Sequence, residues 1–366
     1  MEISYKKMTV YNFSAGPAAL PLSVKQQIAD ELFDWNGTGC SVMEMSHRSK
    51  EFTEMADENE ALARELLNIS DDYAVMLIPG GARLQYSMLP TNISSPHGHA
   101  IYAINGHWGK QAIKEAGRFT QVSSTAPISD EVYAEIPAYD VSQLYPNADY
   151  FHYTSNETLE GVQWHKLPET NGAPLCCDMT SDLLTRVFDV NDYSMIYASA
   201  QKNMGIAGIT FVIMKRDMIG QSKNLLPTMT DYKTYADTRS FYNTPPTFPW
   251  YVMLLVLRWV KAQGGVGVIQ QNNQMKSSRL YDFVDQSDFY LNKVRPDCRS
   301  EVNVPFWLKD ESLNQKFLQE SSAADLKALK GHMVVGGMRA SIYNAIPIEG
   351  VDALIDFMRE FERVNG

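Results

Sequence analysis

ASAQKNMGIAG, residues 198–208, follows the apolar run at 194–199 and closes on a turn punctuated by Gly205 and Gly208. This context predicts Lys202 at the end of a buried strand rather than on a solvated helix face. A lysine amine held there can form an imine with an aldehyde cofactor. Upstream, PLCCD at 174–178 closes a second apolar run on Asp178. If the two strands are parallel neighbours, Asp178 and Lys202 emerge at the same carboxyl edge, where open α/β sheets bind their ligands. The pair points to pyridoxal 5'-phosphate chemistry. The competing reading is a surface lysine and a helix N-cap aspartate.

The chain has 366 residues, 45% hydrophobic and 20% charged, enough for a sizeable core and more than one domain. A formal net charge of -11 argues against a nucleic-acid surface, which needs clustered Lys and Arg. Cys40, Cys176, Cys177 and Cys298 form no CxxC pair and no metal spacing, and neighbours 176 and 177 in a strand point to opposite faces. A reducing, cytoplasmic setting is the expectation. No N-terminal signal is visible, and the longest apolar run, 250–260, is interrupted by Arg258 and too short for a bilayer. PHGH at 96–99 reads as an exposed loop without a third ligand, so no metal site is expected. No GxSxG elbow nominates a serine nucleophile.

Helical and strand-like segments alternate, which predicts an α/β fold with a mostly parallel sheet flanked by helices. Strands are expected at 73–78, 100–104, 150–153, 175–177, 195–198 and 209–214, mostly continuous apolar runs suited to burial on both faces. Helices are expected at 21–35, 51–67, 250–261 and 351–364, with a further strand at 302–308. A smaller α/β C-terminal domain is expected after Gly264–Gly265. The division reads as an N-terminal arm at 1–16 belonging to the small domain, a large cofactor-binding domain at 17–262 and a small domain at 263–366.

After the 73–78 strand, PGGARLQ places glycines at a strand-to-helix turn, where backbone N–H groups can approach an anion at a helix N-terminus. Arg83 beside it strengthens the phosphate reading over that of a plain tight turn. NGHWG at 105–109 puts Trp108 at another strand end, positioned to stack on a planar ring or to pack in the core.

Taken in order, NFSAGPAALP at 12–21, SVMEMSHRSKEF at 41–52, ASAQKNMGIAG, FYNTPPTF at 241–248 and GHMVVGGMRASIYNA at 331–345 resemble phosphoserine aminotransferases. The resemblance runs over essentially the whole chain. It implies a fold-type I pyridoxal phosphate enzyme, a homodimer exchanging an amino group between glutamate and 3-phosphohydroxypyruvate. Serine biosynthesis is the implied setting, with pyridoxine biosynthesis as a further role. It also implies that Lys202 and Asp178 are catalytic. The cofactor would be held by Ala82, Arg83, Trp108, Thr158, Asp178, Gln201 and Lys202, and by Asn243 and Thr244 from the other subunit. Arg339, at the α-carboxylate, and His332 would bind the substrate, while His47 and Arg48 of the neighbouring subunit would bind the phosphate.

One departure stands out. Where such enzymes read GHR before the VVGG stretch, His332 is here followed by Met333. Loss of one charge-assisted contact predicts roughly ten- to hundred-fold weaker phosphate recognition unless another cation compensates. Two alternatives remain open: another fold-type I enzyme such as an alanine:glyoxylate aminotransferase, or a catalytically inert cofactor-binding homologue.

Overall fold

The computed structural model describes residues 10–95, 97–222 and 224–366. Of the arm expected at 1–16, residues 1–9 lie outside the described residues. The strands in the first half are β1 Tyr11–Asn12, β2 Tyr73–Pro79, β3 His99–Tyr102, β4 Gln121–Ser124, β5 Tyr150–Thr154, β6 Asn156–Glu157 and β7 Val162–Gln163. Those that follow are β8 Leu175–Asp178, β9 Met195–Ser199, β10 Ile209–Lys215, β11 Tyr290–Leu291, β12 Asn303–Leu308, β13 Leu326–Lys327 and β14 Met338–Ser341.

Seven strands form the main sheet in the order β2-β10-β9-β8-β5-β3-β4. All neighbours from β9 to β4 pair in parallel, and β10 runs antiparallel to both β2 and β9. Residues alternate between two cores along each strand. Ile209, Phe211 and Ile213 of β10 join one core while Val212 and Met214 join the other. Cys177 and Cys176 of β8 divide in the same way, onto opposite faces. Burial on both faces is the physical reason these strands read as unbroken apolar runs.

Helices cover both faces. On one side lie α1 Leu22–Glu31 and α2 Lys50–Leu67, and on the other α3 Ala82–Ile93, α4 His107–Ala116 and α5 Tyr232–Asp237. Ser49 caps α2, its hydroxyl accepting from the Phe52 amide at 3.2 Å, and Asn68 ends the helix in a left-handed conformation. Helix α6 Thr247–Ala262 packs on α2 with nine buried residues, and no single helix among the described residues is long and apolar enough to cross a membrane. The first helix ends sooner than its sequence suggests, at Glu31, with a 3-10 turn at Trp35–Gly37. Strand β4 reads QVSS and has no apolar alternation, so sequence periodicity passes it over. His99, expected in a loop, belongs to β3 and stacks on Tyr145 at 3.8 Å.

A third core gathers around the antiparallel sheet β11-β12-β14, with residues from α8 Asn314–Ala323 and α9 Ile348–Asn365. Phe13 is buried in it, next to β1, which pairs in parallel with β13. Helix α7 Val266–Gln286 starts in the first core at Val266 and Ile269 and ends in the third at Leu280 and Val284. A boundary at 262/263 therefore falls just before a helix shared by two cores.

Candidate active site

Register decides where the chemistry gathers. Asp178 is the last residue of β8 and pairs with Tyr197 of the parallel strand β9, so the turn holding Lys202 leaves the sheet at the edge where Asp178 ends. Strand β2 runs in the same direction as β9, because both oppose β10, which brings Gly80 and Gly81 to that edge. The segments after β3 and β5 carry Trp108 and Thr158 there too. A cavity of about 260 Å³ opens at this edge, lined by seven of the expected residues: Ala82, Arg83, Trp108, Thr158, Asp178, Gln201 and Lys202.

Lys202 is 9% exposed, and its Nζ donates to Thr158 Oγ1 at 2.5 Å. Burial pushes the amine down to about 8, with the Asp178 charge opposing that shift. Asp178 accepts from the Thr180 amide at 2.9 Å and from the Tyr86 hydroxyl at 3.2 Å. Burial pushes its carboxyl up, against the pull of Thr180, Lys202 and Tyr86. A cationic ring nitrogen would supply the counter-charge this buried acid lacks.

At the other end, α3 opens at Ala82 with Gly81 as its N-cap and no side-chain cap, which leaves first-turn amides for an anion. Gly80 turns the chain at φ +115°, a conformation that side chains disfavour. The Arg83 guanidinium lies 5.4 Å over the Trp108 ring. Deep carboxylate, buried amine, aromatic wall and anion-binding turn together fit a planar, singly phosphorylated aldehyde with a basic ring nitrogen.

A family model described as "Aminotransferase class-V" matches residues 10–354. The chain belongs to the class-V aminotransferase family. It is 50% identical over 360 residues to a phosphoserine aminotransferase of Laribacter hongkongensis, covering 98% of this chain and 100% of that one. A solved phosphoserine aminotransferase from Bacillus circulans subsp. alkalophilus superposes with a TM-score of 0.93 at 42% identity, over 98% of this chain and 99% of its own. The PLP-bound enzyme of Trichomonas vaginalis superposes with a TM-score of 0.91 at 36% identity, over 96% and 99%.

The remaining expected residues of this class-V aminotransferase fall in two groups. Arg339, on β14, reaches over from the third core, its guanidinium donating to the Thr158 carbonyl at 3.4 Å. Its Nε is buried without a partner among the described residues. The His332 ring stands 5.8 Å from that of His107, and Met333 is 91% exposed. None of Arg339, His332, His47, Arg48, Asn243 and Thr244 is among the residues lining the cavity of its own chain. His47 and Arg48 precede the α2 cap rather than sitting within the helix, and the His47 ring stacks 6.3 Å from Phe241, beside Asn243.

Sequence reading missed Tyr86, Thr154, Asn156, Thr180 and Ser181, which also line the cavity. Tyr86 stands one helical turn beyond Ala82, a spacing that could have found it. Thr180 stands two residues after Asp178, where a side chain and amide can bond back to the carboxylate.

Proposed function

We propose that this chain is a pyridoxal 5'-phosphate-dependent phosphoserine aminotransferase. It moves an amino group between L-glutamate and 3-phosphohydroxypyruvate, yielding phosphoserine and 2-oxoglutarate. Serine biosynthesis is its setting, with pyridoxine biosynthesis a second one, and the reading is of a cytoplasmic homodimer. The observation that carries it is the buried Lys202 amine facing Asp178 across one cavity at the carboxyl edge of the sheet.

When bound, the cofactor supplies a carbonyl to receive the amino group and a ring to take up electrons. Lys202 Nζ would hold it, and an amine of near-neutral basicity would suit moving the proton at the substrate α-carbon. Asp178 holds a proton at the ring nitrogen and keeps the ring electron-accepting. The first-turn amides of α3 and Arg83 hold the phosphate, and Trp108 stacks on the ring.

Arg339 supports the substrate reading. It is a half-buried guanidinium whose Nε has no partner among the described residues, suited to a carboxylate that it can grip with two parallel hydrogen bonds. Burial, then the neighbouring His332, Lys110 and Arg83, push the nearby His107 imidazole down, and of these Arg83 lines the cavity. That field favours a doubly charged phosphate even with Met333 in place of a cation.

Coupled-assay kinetics test the reading. Phosphoserine is expected to react far faster than alanine or serine, and Lys202→Ala is expected to abolish turnover. A preference for alanine would move the chain to another aminotransferase activity. Yellow protein whose spectrum ignores both glutamate and phosphoserine would make it an inert binder.

A further inference from the structure

The turn that carries Thr158 into the cavity also carries two buried carboxyl groups that the proposed chemistry does not use. Glu157 is fully buried and Glu160 is 2% exposed. Both reach across to α4, whose N-cap is Gly106, with no side chain to receive the first amides. Glu157 Oε2 accepts from the Trp108 amide at 2.9 Å, and its Oε1 from the Gly109 amide at 2.7 Å. Glu160 Oε1 accepts from the His107 amide at 2.8 Å. Three consecutive first-turn amides, with Trp108 at their centre, are therefore held from outside the helix.

The glycines of NGHWG leave room for this arrangement. A Cβ at Gly106 would stand 2.4 Å from the Glu157 side chain, and one at Gly109 would stand 3.4 Å from Glu157 Oε1. Glycine here is a matter of space rather than of backbone angle.

The two carboxyl groups are not equivalent. Both oxygens of Glu157 receive an amide, whereas Glu160 Oε2 is buried with no partner among the described residues. Burial pushes both groups up, and mutual repulsion adds to this at Glu157. Asp178, Lys202, Lys110, Arg339, Tyr86, Tyr133 and His107 are the other titratable or charged groups acting on or bonded to the pair. Both oxygens of Glu157 face amide N–H groups, which with the α4 dipole favour negative charge there.

We propose that Glu157, through both of its carboxylate oxygens, is the positioning residue that fixes Trp108 against the cofactor ring, while Glu160 contributes one oxygen only. The link to the cofactor rests on the function proposed above; the link to the helix does not. An amide at 157 must present an N–H to one of two N–H donors. An amide at 160 keeps its one useful oxygen and can place its NH2 where Oε2 now stands.

Hydrogen-exchange mass spectrometry of the holoenzyme, with equilibrium binding of pyridoxal 5'-phosphate, separates the two. In Glu157→Gln, the amides of Trp108 and Gly109 are expected to exchange faster, by about tenfold or more at whichever of the two faces the new NH2, and the cofactor to bind about tenfold more weakly or worse. In Glu160→Gln, both measurements should stay within about threefold of wild type. Wild-type behaviour of Glu157→Gln in either measurement overturns the proposal, as does equal damage in Glu160→Gln. If Glu157→Gln does not fold, Gly106→Ala displaces the same carboxylate and the same two readouts decide. Wild-type protein that takes up no cofactor would refute the proposed function, while the exchange comparison would still settle the cap.

Discussion

At the scale of single residues, the decisive balance is between the desolvation of Lys202 and its attraction to Asp178. Desolvation wins, leaving the amine near 8 rather than 10.5. Only the neutral amine attacks a carbonyl, and it predominates above that value. Covalent uptake of pyridoxal 5'-phosphate by cofactor-free protein is therefore expected to accelerate about tenfold per pH step below 8 and to level off above it. Stopped-flow absorbance across that range measures this, and a flat profile would contradict it. Asp178→Asn keeps the shape of the site but removes the charge at its floor. Its kcat should fall about 10²- to 10³-fold with little change in cofactor retention; comparable losses in both would assign the acid a binding role instead. Met333 makes a third case. Because it is 91% exposed beside His332, Met333→Arg has room for a guanidinium, and we expect KM for phosphoserine to fall about tenfold or more with kcat steady.

At the scale of elements, what was legible followed from burial. Runs such as ITFVIMK are largely apolar because both faces of the sheet are covered, and the order of strand, acid, strand and lysine points to Asp178 and Lys202 from the sequence alone. Strand β4 escaped because an edge strand needs no apolar alternation. Tyr86 and Asn156 escaped because each points into the cavity only once helix or turn geometry is fixed. The role of Glu157 was hidden for a related reason: its partner amides lie almost fifty residues away, and backbone amides have no sequence signature. The turn after β6 shows how strictly such geometry is held. Gly161 sits at φ +72°, and a Cβ there would come within 2.4 Å of Pro305 and 2.8 Å of the Asn303 carbonyl on β12. Gly161→Ala combines left-handed strain with a backbone collision, so it should destabilise the fold by roughly 2–4 kcal/mol. Urea denaturation measures this, and a loss below about 1 kcal/mol would mean that β12 yields freely.

At the scale of the whole molecule, the question is why His47, Arg48, Asn243 and Thr244, assigned by resemblance to a partner subunit's site, stay out of the cavity of their own chain. His47 and Arg48 lie before α2, Asn243 and Thr244 lie before α6, and the contact of His47 with Phe241 brings the two segments side by side. Leu22, Phe33, Met43 and Tyr242 are each more than half exposed. A two-fold dimer that covered this surface would carry both segments to the partner's cavity, giving each site residues from two chains. Subunit mixing tests the arrangement. Lys202→Ala lacks the amine but has an intact Arg48; Arg48→Ala has the reverse. Each homodimer should be nearly inactive. After unfolding and refolding together in equal amounts, half of the dimers are mixed and each mixed dimer holds one complete site, so activity should recover to about a quarter of wild type. If Arg48 instead served its own chain, every site in the mixture would lack one group or the other, and mixing would restore nothing.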